Sequence, residues 1–306
     1  MPNIRIAPFR LLLTAMVCGL LLAMPLTRIV AAQSGDPVLI GAGDIASCGL
    51  DGDEQTAKLL DQIDGTVMAI GDNVYASGSA EEFKKCYGPS WGRFKKRTRP
   101  APGNHDYVTV NAQGYFDYFG KLAGPGTLGY YSYNLGAWHI VSLNSNIDAR
   151  VVSTQGKWLR ADLEANRTRC TLAYWHHPVF SSAEVPDLNQ YVPQLWTLLY
   201  EYGVDVVVNG HIHYYERLEP LNPLGEHDLK RGIREFIVGT GGATLNKTVG
   251  EKANPNSVVR DNSTWGVIKF TLHPTSYDWE FIPVAGGTFH DSGSATCIEP
   301  LEQVVF

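Results

Sequence analysis

The sequence has no excess of positive charge. Its 25 lysines and arginines stand against 31 aspartates and glutamates, which gives a net charge of −6. A general nucleic-acid-binding protein normally carries a basic footprint, so the composition argues against nucleic-acid binding. The densest basic run, residues 95–99, is interpreted as a solvated helix end, with attraction of an anionic substrate as the alternative.

Several motifs are also missing. No CxxC pair is present, which argues against a zinc–cysteine site. No Gly-x-Ser-x-Gly run is present, so a serine hydrolase has no support. Residues 239–242 are glycine-rich and follow a predicted strand, but no Lys-Ser/Thr pair comes after them. A tight turn is therefore favoured there over a nucleotide loop.

Cysteine is scarce. Outside the first 33 residues the chain keeps four, at positions 48, 86, 170 and 297. An even number in an exported protein indicates two disulfides, with three connectivities open. We favour Cys48–Cys86 and Cys170–Cys297.

Export is indicated by the first residues of the chain. Residues 1–32 are predicted to be a signal peptide, because basic residues precede an apolar stretch and Val30-Ala31-Ala32 offers small residues for cleavage. The apolar stretch, residues 11–26, is short for a membrane span and contains Pro25. We therefore expect no stable span after cleavage and a secreted or periplasmic location.

The remaining chain, residues 33–306, is predicted to be a single α/β domain. Alternating strands and helices come first, and a strand-rich tail follows at 234–290. Two packed mixed β-sheets flanked by helices, a four-layer α/β/β/α sandwich, would use all these parts. Residues 220–232 and 250–262 are the expected mobile loops. Strands are predicted at 37–43, 66–70, 98–102, 130–134, 137–143, 170–175, 204–208, 234–238, 266–272 and 277–282, and helices at 53–63, 155–164 and 191–202.

Five short runs each place a polar side chain directly after a predicted strand. Because ligands bind outside the carboxyl ends of strands in open α/β sheets, five such ends predict one shared pocket. Each run alone fits a turn or a helix cap, but every one of the five contains a residue type that can bind a metal ion. The runs are Gly43-Asp44, Gly71-Asp72-Asn73-Val74-Tyr75, Gly103-Asn104-His105-Asp106, Trp175-His176-His177-Pro178 and Gly210-His211-Ile212-His213.

The donors are carboxylate, phenolate, amide oxygen and imidazole, with no thiol. This set favours iron, manganese or zinc over copper(I). Two such ions held a few ångströms apart would clamp the attacking and leaving oxygens of a displacement at phosphorus. They would also lower the pKa of bound water, which gives hydroxide at modest pH.

In order and spacing, these runs resemble the calcineurin-like metallophosphoesterases over residues 43–217. Tyr75, three residues after Asp72, makes the chain similar to the purple acid phosphatase branch. The resemblance implies one ion, normally ferric, on Asp44, Tyr75 and His213. It implies a second, divalent ion (Fe(II), Zn(II) or Mn(II)) on Asn104, His176 and His211, with Asp72 bridging both.

His105 would face the substrate, where it stabilises the phosphoryl group or protonates the leaving oxygen. The chain departs from the family in Ala46, which stands where a second glycine is usual. Many purple acid phosphatases carry another histidine several residues beyond the His-x-Pro run, and residues 181–187 of this chain contain none, so Glu184 and Asp187 are candidates for the leaving-group acid. His177 either supports a metal ligand from behind, contacts the substrate, or is simply a packed neighbour.

The expected function is an exported binuclear metal-dependent phosphoester hydrolase, a phosphomonoesterase of the acid phosphatase kind that uses metal-bound hydroxide. One alternative is a phosphodiesterase of the same fold. Another is a non-catalytic, metal-containing binding protein. The loops at 108–114 and 147–154 are expected to form the pocket walls, and they do not specify a leaving group.

Overall fold

The structure is a computed structural model that describes Pro2 and residues 35–183, 189–248 and 253–299. Apart from Pro2, the predicted signal peptide lies outside the described residues, as do Glu184 and Asp187. The chain from Gly35 onward is one compact unit. Within the described ranges, no helix is long and apolar enough to cross a membrane.

Fifteen strands are formed by the described residues, numbered here in chain order. They are β1 (Val38–Ala42), β2 (Ala46–Ser47), β3 (Thr66–Ile70), β4 (Val74–Tyr75), β5 (Thr98–Ala101), β6 (Tyr131–Leu135), β7 (Trp138–Ser142), β8 (Cys170–Tyr174), β9 (Val206–Asn209), β10 (Tyr215–Leu218), β11 (Arg234–Val238), β12 (Ser257–Asp261), β13 (Gly266–Leu272), β14 (Ser276–Pro283) and β15 (Asp291–Thr296).

Helices connect and flank these strands. The α-helices are α1 (Gly52–Gln62), α2 (Ala80–Glu82), α3 (Gln113–Phe119), α4 (Thr154–Ala165) and α5 (Val192–Glu201). A π-helical turn spans Phe83–Tyr87, and 3₁₀ segments span Trp91–Arg97, Val110–Ala112 and Gly120–Ala123. Local sequence explains where α4 and α5 begin: the Ser153 hydroxyl caps α4 by accepting from the Gly156 N–H, and Pro193 occupies the first turn of α5.

The strands form two mixed sheets, as predicted. The six-stranded sheet has the order β15-β14-β13-β1-β3-β5, and the seven-stranded sheet has the order β12-β10-β11-β9-β8-β7-β6. Parallel pairing joins β1, β3 and β5 in the first sheet and β7, β8, β9 and β11 in the second. The remaining pairs within the two sheets are antiparallel, and β2 and β4 form a separate parallel pair.

One apolar core lies between the two sheets. It contains inward residues of both, such as Leu39 and Ile268 from the first and Ile140 and Val208 from the second. A second core lies on the far face of the seven-stranded sheet, where α4 and α5 bury their apolar sides. The strand ends that concern function are therefore held by packed layers on more than one side.

The sequence predicted most of the longer strands and helices to within two residues but missed several elements, among them β12, β15 and α3. Ser257–Asp261 forms strand β12 inside the expected mobile loop 250–262, and Asp291–Thr296 forms β15 beyond the predicted tail. Both are edge strands with few large apolar residues, so their pairing depends on backbone hydrogen bonds that side-chain alternation does not reveal. Helix α3 begins at Gln113, within the last two residues of the predicted loop 108–114, and continues to Phe119, where no element was predicted.

Both favoured disulfides are confirmed. Cys48 is bonded to Cys86, and Cys170 is bonded to Cys297. The second bridge joins residues 127 apart and links the start of β8 to the segment after β15. It therefore ties the end of the strand-rich tail to the seven-stranded sheet.

Candidate metal centre

The five polar runs meet at one edge of the fold. Asp44 follows β1, Asp72 follows β3 and Asn104 follows β5, all in the six-stranded sheet, while His176 follows β8 and His211 follows β9 in the other sheet. Because these strands run parallel within each sheet, their carboxyl ends converge. The site is thus assembled from both sheets.

The first group of donors surrounds the hydroxyl of Tyr75. This oxygen lies 2.8 Å from Asp44 Oδ1, 3.0 Å from His213 Nε2 and 3.0 Å from Asp72 Oδ2. His213 Nε2 is itself 3.2 Å from Asp44 Oδ1. Four potential metal-ligand atoms, one from each of four predicted site residues, therefore lie within about one hydrogen-bond length of a neighbour.

The second group surrounds the amide oxygen of Asn104. Its Oδ1 atom lies 3.1 Å from His176 Nε2 and 3.0 Å from His211 Nδ1. The two imidazole nitrogens are 3.3 Å apart, and His176 Nε2 lies 3.2 Å from Asp72 Oδ2. The same Asp72 oxygen therefore belongs to both groups.

These separations suit metal ions. Donors about 2.0–2.2 Å from an ion and roughly at right angles to one another are about 3 Å apart, which matches both groups. The side chains of Asp44 and Asp72 are 0% and 1% exposed. In the part of the chain that the structure describes, their ion-pair partners are histidines and not lysine or arginine, so the carboxylates suit a cation as counter-charge.

The backbone is bent to bring these donors inward. Asp44, Asp72 and His211 all have positive φ, at 60°, 45° and 70°. Residues other than glycine seldom adopt this region, and such strain concentrates at functional sites. Ala46, by contrast, lies in β2 without positive φ. Alanine in place of the family's glycine is therefore accommodated.

Two glycines of the motifs leave no room for a side chain. A Cβ on Gly103 would lie 2.1 Å from the backbone nitrogen of Asp72, and a Cβ on Gly71 would lie 2.5 Å from His176 Nδ1. Gly71 also has a φ of 79°. These close approaches explain why glycine precedes the donors Asp72 and Asn104.

Backbone carbonyls fix the orientation of three imidazoles. The Nδ1 atoms of His176, His213 and His105 lie 2.9, 2.7 and 2.7 Å from the carbonyl oxygens of Ile70, Thr244 and Ala76. A carbonyl only accepts, so each Nδ1 carries the proton and each Nε2 is directed into the site. Such partners set both the tautomer and the direction of a metal ligand.

The ionisable groups of this site have shifted pKa values. Burial alone would raise the pKa of Asp44 and Asp72, but His213 and His176 outweigh it and lower both. Burial alone would lower the pKa of His176 and His213, but the carboxylates raise both to about 9. Burial, Asp44 and Asp72 raise the pKa of the Tyr75 phenol well above 10.0. A cation entering here would displace protons.

His105 stands on the open side of the site. Its side chain is 35% exposed, and its Nε2 atom lies 4.0 Å from Asp72 Oδ2. Its backbone N–H donates to Asp72 Oδ1 over 2.8 Å, which places it beside the shared carboxylate. His177, in contrast, is buried, and its Nδ1 lies 2.7 Å from the Ser145 hydroxyl. Its ring packs against His211 at 4.4 Å between centroids.

Two residues that hold the motif loops in place were assigned no role from the sequence. Asp106 Oδ2 accepts from the Gly103 N–H over 2.8 Å and from the Asn73 side chain over 2.9 Å, which joins the second and third runs. Glu82 accepts from the N–H groups of Ala76 and Ser79, and so fixes the loop whose carbonyl orients His105. Only Asp106 could have been suspected, because it lies inside a motif.

The glycine-rich residues 239–242 and the segment after His213 have structural roles. Gly241 donates to the carbonyl of Gly43 and accepts from Thr56, so residues 239–242 form a turn packed on the end of β1. The segment after His213 leads into strand β10, which begins at Tyr215.

Comparison with known proteins agrees with this arrangement. Residues 31–215 match the Calcineurin-like phosphoesterase family. Purple acid phosphatase 15 of Arabidopsis thaliana is 30% identical over 203 residues, which cover 52% of this chain and 38% of the relative. The chain spans less than half the length of this relative and of purple acid phosphatase 18 from the same plant.

Solved structures show the same fold. Purple acid phosphatase PPD1 from yellow lupin (Lupinus luteus) seeds superposes with a TM-score of 0.67 at 21% identity, over 86% of this chain and 54% of that one. GAP50, the anchor in the inner membrane complex of Plasmodium, superposes with a TM-score of 0.64 at 15% identity, over 88% and 90%. The family match covers more than half of the sequence, and the chain belongs to the calcineurin-like phosphoesterases, with purple acid phosphatases among its relatives.

Proposed function

We propose that the protein is an exported, binuclear metal-dependent phosphoester hydrolase that acts on phosphate monoesters. The observation that carries the proposal is the sharing of one atom: Asp72 Oδ2 lies 3.0 Å from Tyr75 Oη in one donor group and 3.2 Å from His176 Nε2 in the other. A carboxylate between two groups of hard-to-borderline donors suits a two-metal phosphoryl-transfer site.

The residues would divide between two ions. One ion, Fe(III), would be held by Asp44, Tyr75 and His213, and the other, Fe(II), Zn(II) or Mn(II), by Asn104, His176 and His211, with Asp72 bridging. When bound, the ions would polarise the phosphoryl group and lower the pKa of water in the site. Tyr75 supports iron at the first position, because a phenolate is a hard anionic donor.

His105 would handle the proton. Because its Nδ1 donates to Ala76 O, its Nε2 is directed into the site. A proton on Nε2 would stabilise a phosphoryl oxygen or pass to the leaving oxygen as the P–O bond breaks. Partial exposure lets this ring reach a substrate that the buried donors cannot reach.

Export is supported by the oxidised cysteines. Two disulfides are typical of proteins from oxidising compartments and rare in the cytosol. Together with the signal peptide expected at residues 1–32, they favour a secreted or periplasmic location.

The test combines metal analysis, a visible absorption spectrum and a paired activity assay on the purified protein. We expect two metal ions per chain, a broad visible band from tyrosinate–Fe(III), and faster hydrolysis of p-nitrophenyl phosphate than of bis(p-nitrophenyl) phosphate. A strong preference for the diester would contradict the monoesterase proposal and favour a phosphodiesterase of the same fold. A metal-loaded protein inactive on both esters would refute catalysis and favour a binding role.

A further inference from the structure

Loops beside the candidate metal centre carry exposed apolar side chains. Val108, Val110, Leu128 and Val152 are 61%, 77%, 40% and 64% exposed. They lie on three loops: the one that follows β5 and carries His105, the one that precedes β6, and the one that follows β7. Single exposed apolar residues need no explanation, but these four lie on three loops that are joined to one another, and we call the four residues the apolar rim.

Hydrogen bonds join the three loops directly. The Asn144 side chain donates to the Tyr107 hydroxyl over 2.8 Å and to the Leu128 carbonyl over 3.0 Å. The Asn146 side chain donates to the Pro102 carbonyl over 3.0 Å. The Val108 N–H donates to the His105 carbonyl over 3.3 Å. The three loops that carry the apolar rim are therefore joined to the segment that carries His105.

The first of these loops is also held in a costly conformation. Asn111 and Ala112, directly after Val110, both have positive φ, at 55° and 50°. Such a pair persists only where the surroundings impose it, and Ala112 is fully buried. Val110 is thus presented to solvent by an anchored turn.

The same loops offer little positive charge. Residues 102–112, 124–130 and 143–153 contain one lysine or arginine, Arg150. Its Nε–H donates to both carboxylate oxygens of Asp148, over 2.9 Å to Oδ1 and 3.0 Å to Oδ2. Recognition of additional phosphate groups normally uses arginine or lysine donors. A leaving group that carries several phosphates would find no such partner on these loops.

We propose that the apolar rim contacts the leaving alcohol, so that the enzyme prefers phosphate monoesters of apolar, uncharged alcohols over polyanionic phosphates. The proposal rests on the phosphomonoesterase function above. In the reaction, the bond from phosphorus to the alcohol oxygen breaks, the phosphoryl group passes to water, and the leaving oxygen takes a proton. An apolar chain on that oxygen would lie against Val108 and Val110 beside His105.

The test is kcat/KM along the series ethyl, butyl and hexyl phosphate, whose leaving groups have similar acidity, and on inositol hexakisphosphate. A fully buried CH₂ corresponds to about fourfold, so partial contact predicts roughly a tenfold rise from ethyl to hexyl phosphate. The double variant Val108→Ser/Val110→Ser is expected to reduce this ratio to about threefold or less, with little change for ethyl phosphate.

The matched control is Leu224→Ser/Leu229→Ser. These side chains are 80% and 79% exposed on the loop between β10 and β11, at the opposite edge of the sheet, and their replacement should leave the ratio unchanged. The proposal is overturned by a flat chain-length series, by faster turnover of inositol hexakisphosphate than of hexyl phosphate, or by equal effects of both double variants. A protein that hydrolyses no monoester refutes the underlying function instead.

Discussion

The rings of Tyr75 and His105 lie 4.4 Å apart between centroids, tilted by 50°. Tyr75 belongs to the first donor group, and His105 is the exposed residue proposed to meet the substrate. The contact therefore links a residue that would hold metal to one that would move a proton. It also allows their roles to be separated, because the Tyr75 hydroxyl can be removed while its ring stays against His105.

Tyr75→Phe is expected to abolish the visible absorption band and to weaken metal binding by roughly 10–100-fold or more. The phenol oxygen is lost, but the ring packing on His105 remains. An absorption spectrum with metal titration checks this. A variant that keeps both the band and the wild-type affinity would remove Tyr75 from the donor set.

Asp72→Asn should affect both ions. The amide oxygen can occupy one position, but the charge shared by the two donor groups is lost. We expect fewer than two bound ions and a fall in kcat/KM of roughly a thousandfold or more. Asp64→Asn, at an exposed position before β3, is the control. Unchanged metal content and turnover in the Asp72 variant would refute the shared-carboxylate assignment.

His105→Asn separates metal binding from catalysis. The side chain lies outside both donor groups, so the variant should keep two ions while kcat falls by about 10²–10⁴-fold. His227→Asn, on the exposed loop between β10 and β11, serves as control. If the His105 variant loses metal as well as activity, its role is structural.

Asp205 is expected to make stability depend on pH. Burial raises the pKa of its carboxyl to about 7, even though the Thr171 and Ile298 N–H groups donate to it. The folded protein therefore binds this proton more tightly than the unfolded chain. As pH rises from about 4 to about 7, the free energy of unfolding should fall by about 1–4 kcal/mol through this group.

Urea unfolding of the chelator-treated protein between pH 4 and pH 8 checks this expectation. Asp205→Asn loses one hydrogen bond at every pH but removes the titration, so its stability should fall less steeply with pH than that of the wild type. Asp64→Asn should keep the wild-type slope. Parallel profiles for wild type and Asp205→Asn would contradict the assignment.

The sequence was most informative where geometry demands a particular residue. Gly71 and Gly103 are required because a side chain there would collide with His176 or Asp72, and the donors follow strands with clear apolar patterns. This is why a single sequence predicted the sheets and the grouping of the donors. The favoured disulfides were found for a simpler reason, since four cysteines leave only three pairings.

Features that depend on tertiary contacts were less accessible. Strand β15 reads Asp-Ser-Gly-Ser-Ala-Thr and becomes a strand only because β14 offers a free edge. Asp106 and Glu82 orient other loops through hydrogen bonds to residues 33 and 6 positions away, and no local pattern shows which loops they contact. The apolar rim likewise appears only when three separate loops are brought together.

The donors come from two different sheets, and this has a mechanical consequence. Asp44, Asp72 and Asn104 extend from one sheet and His176 and His211 from the other. Bound ions would therefore link the two sheets at this edge. A metal ion present at a free concentration 100 times its dissociation constant would add about 2.7 kcal/mol to the free energy of unfolding. Chelation should therefore lower the melting temperature and first loosen the seam between the sheets at this edge, which hydrogen exchange at β3 and β8 would register before exchange at β14.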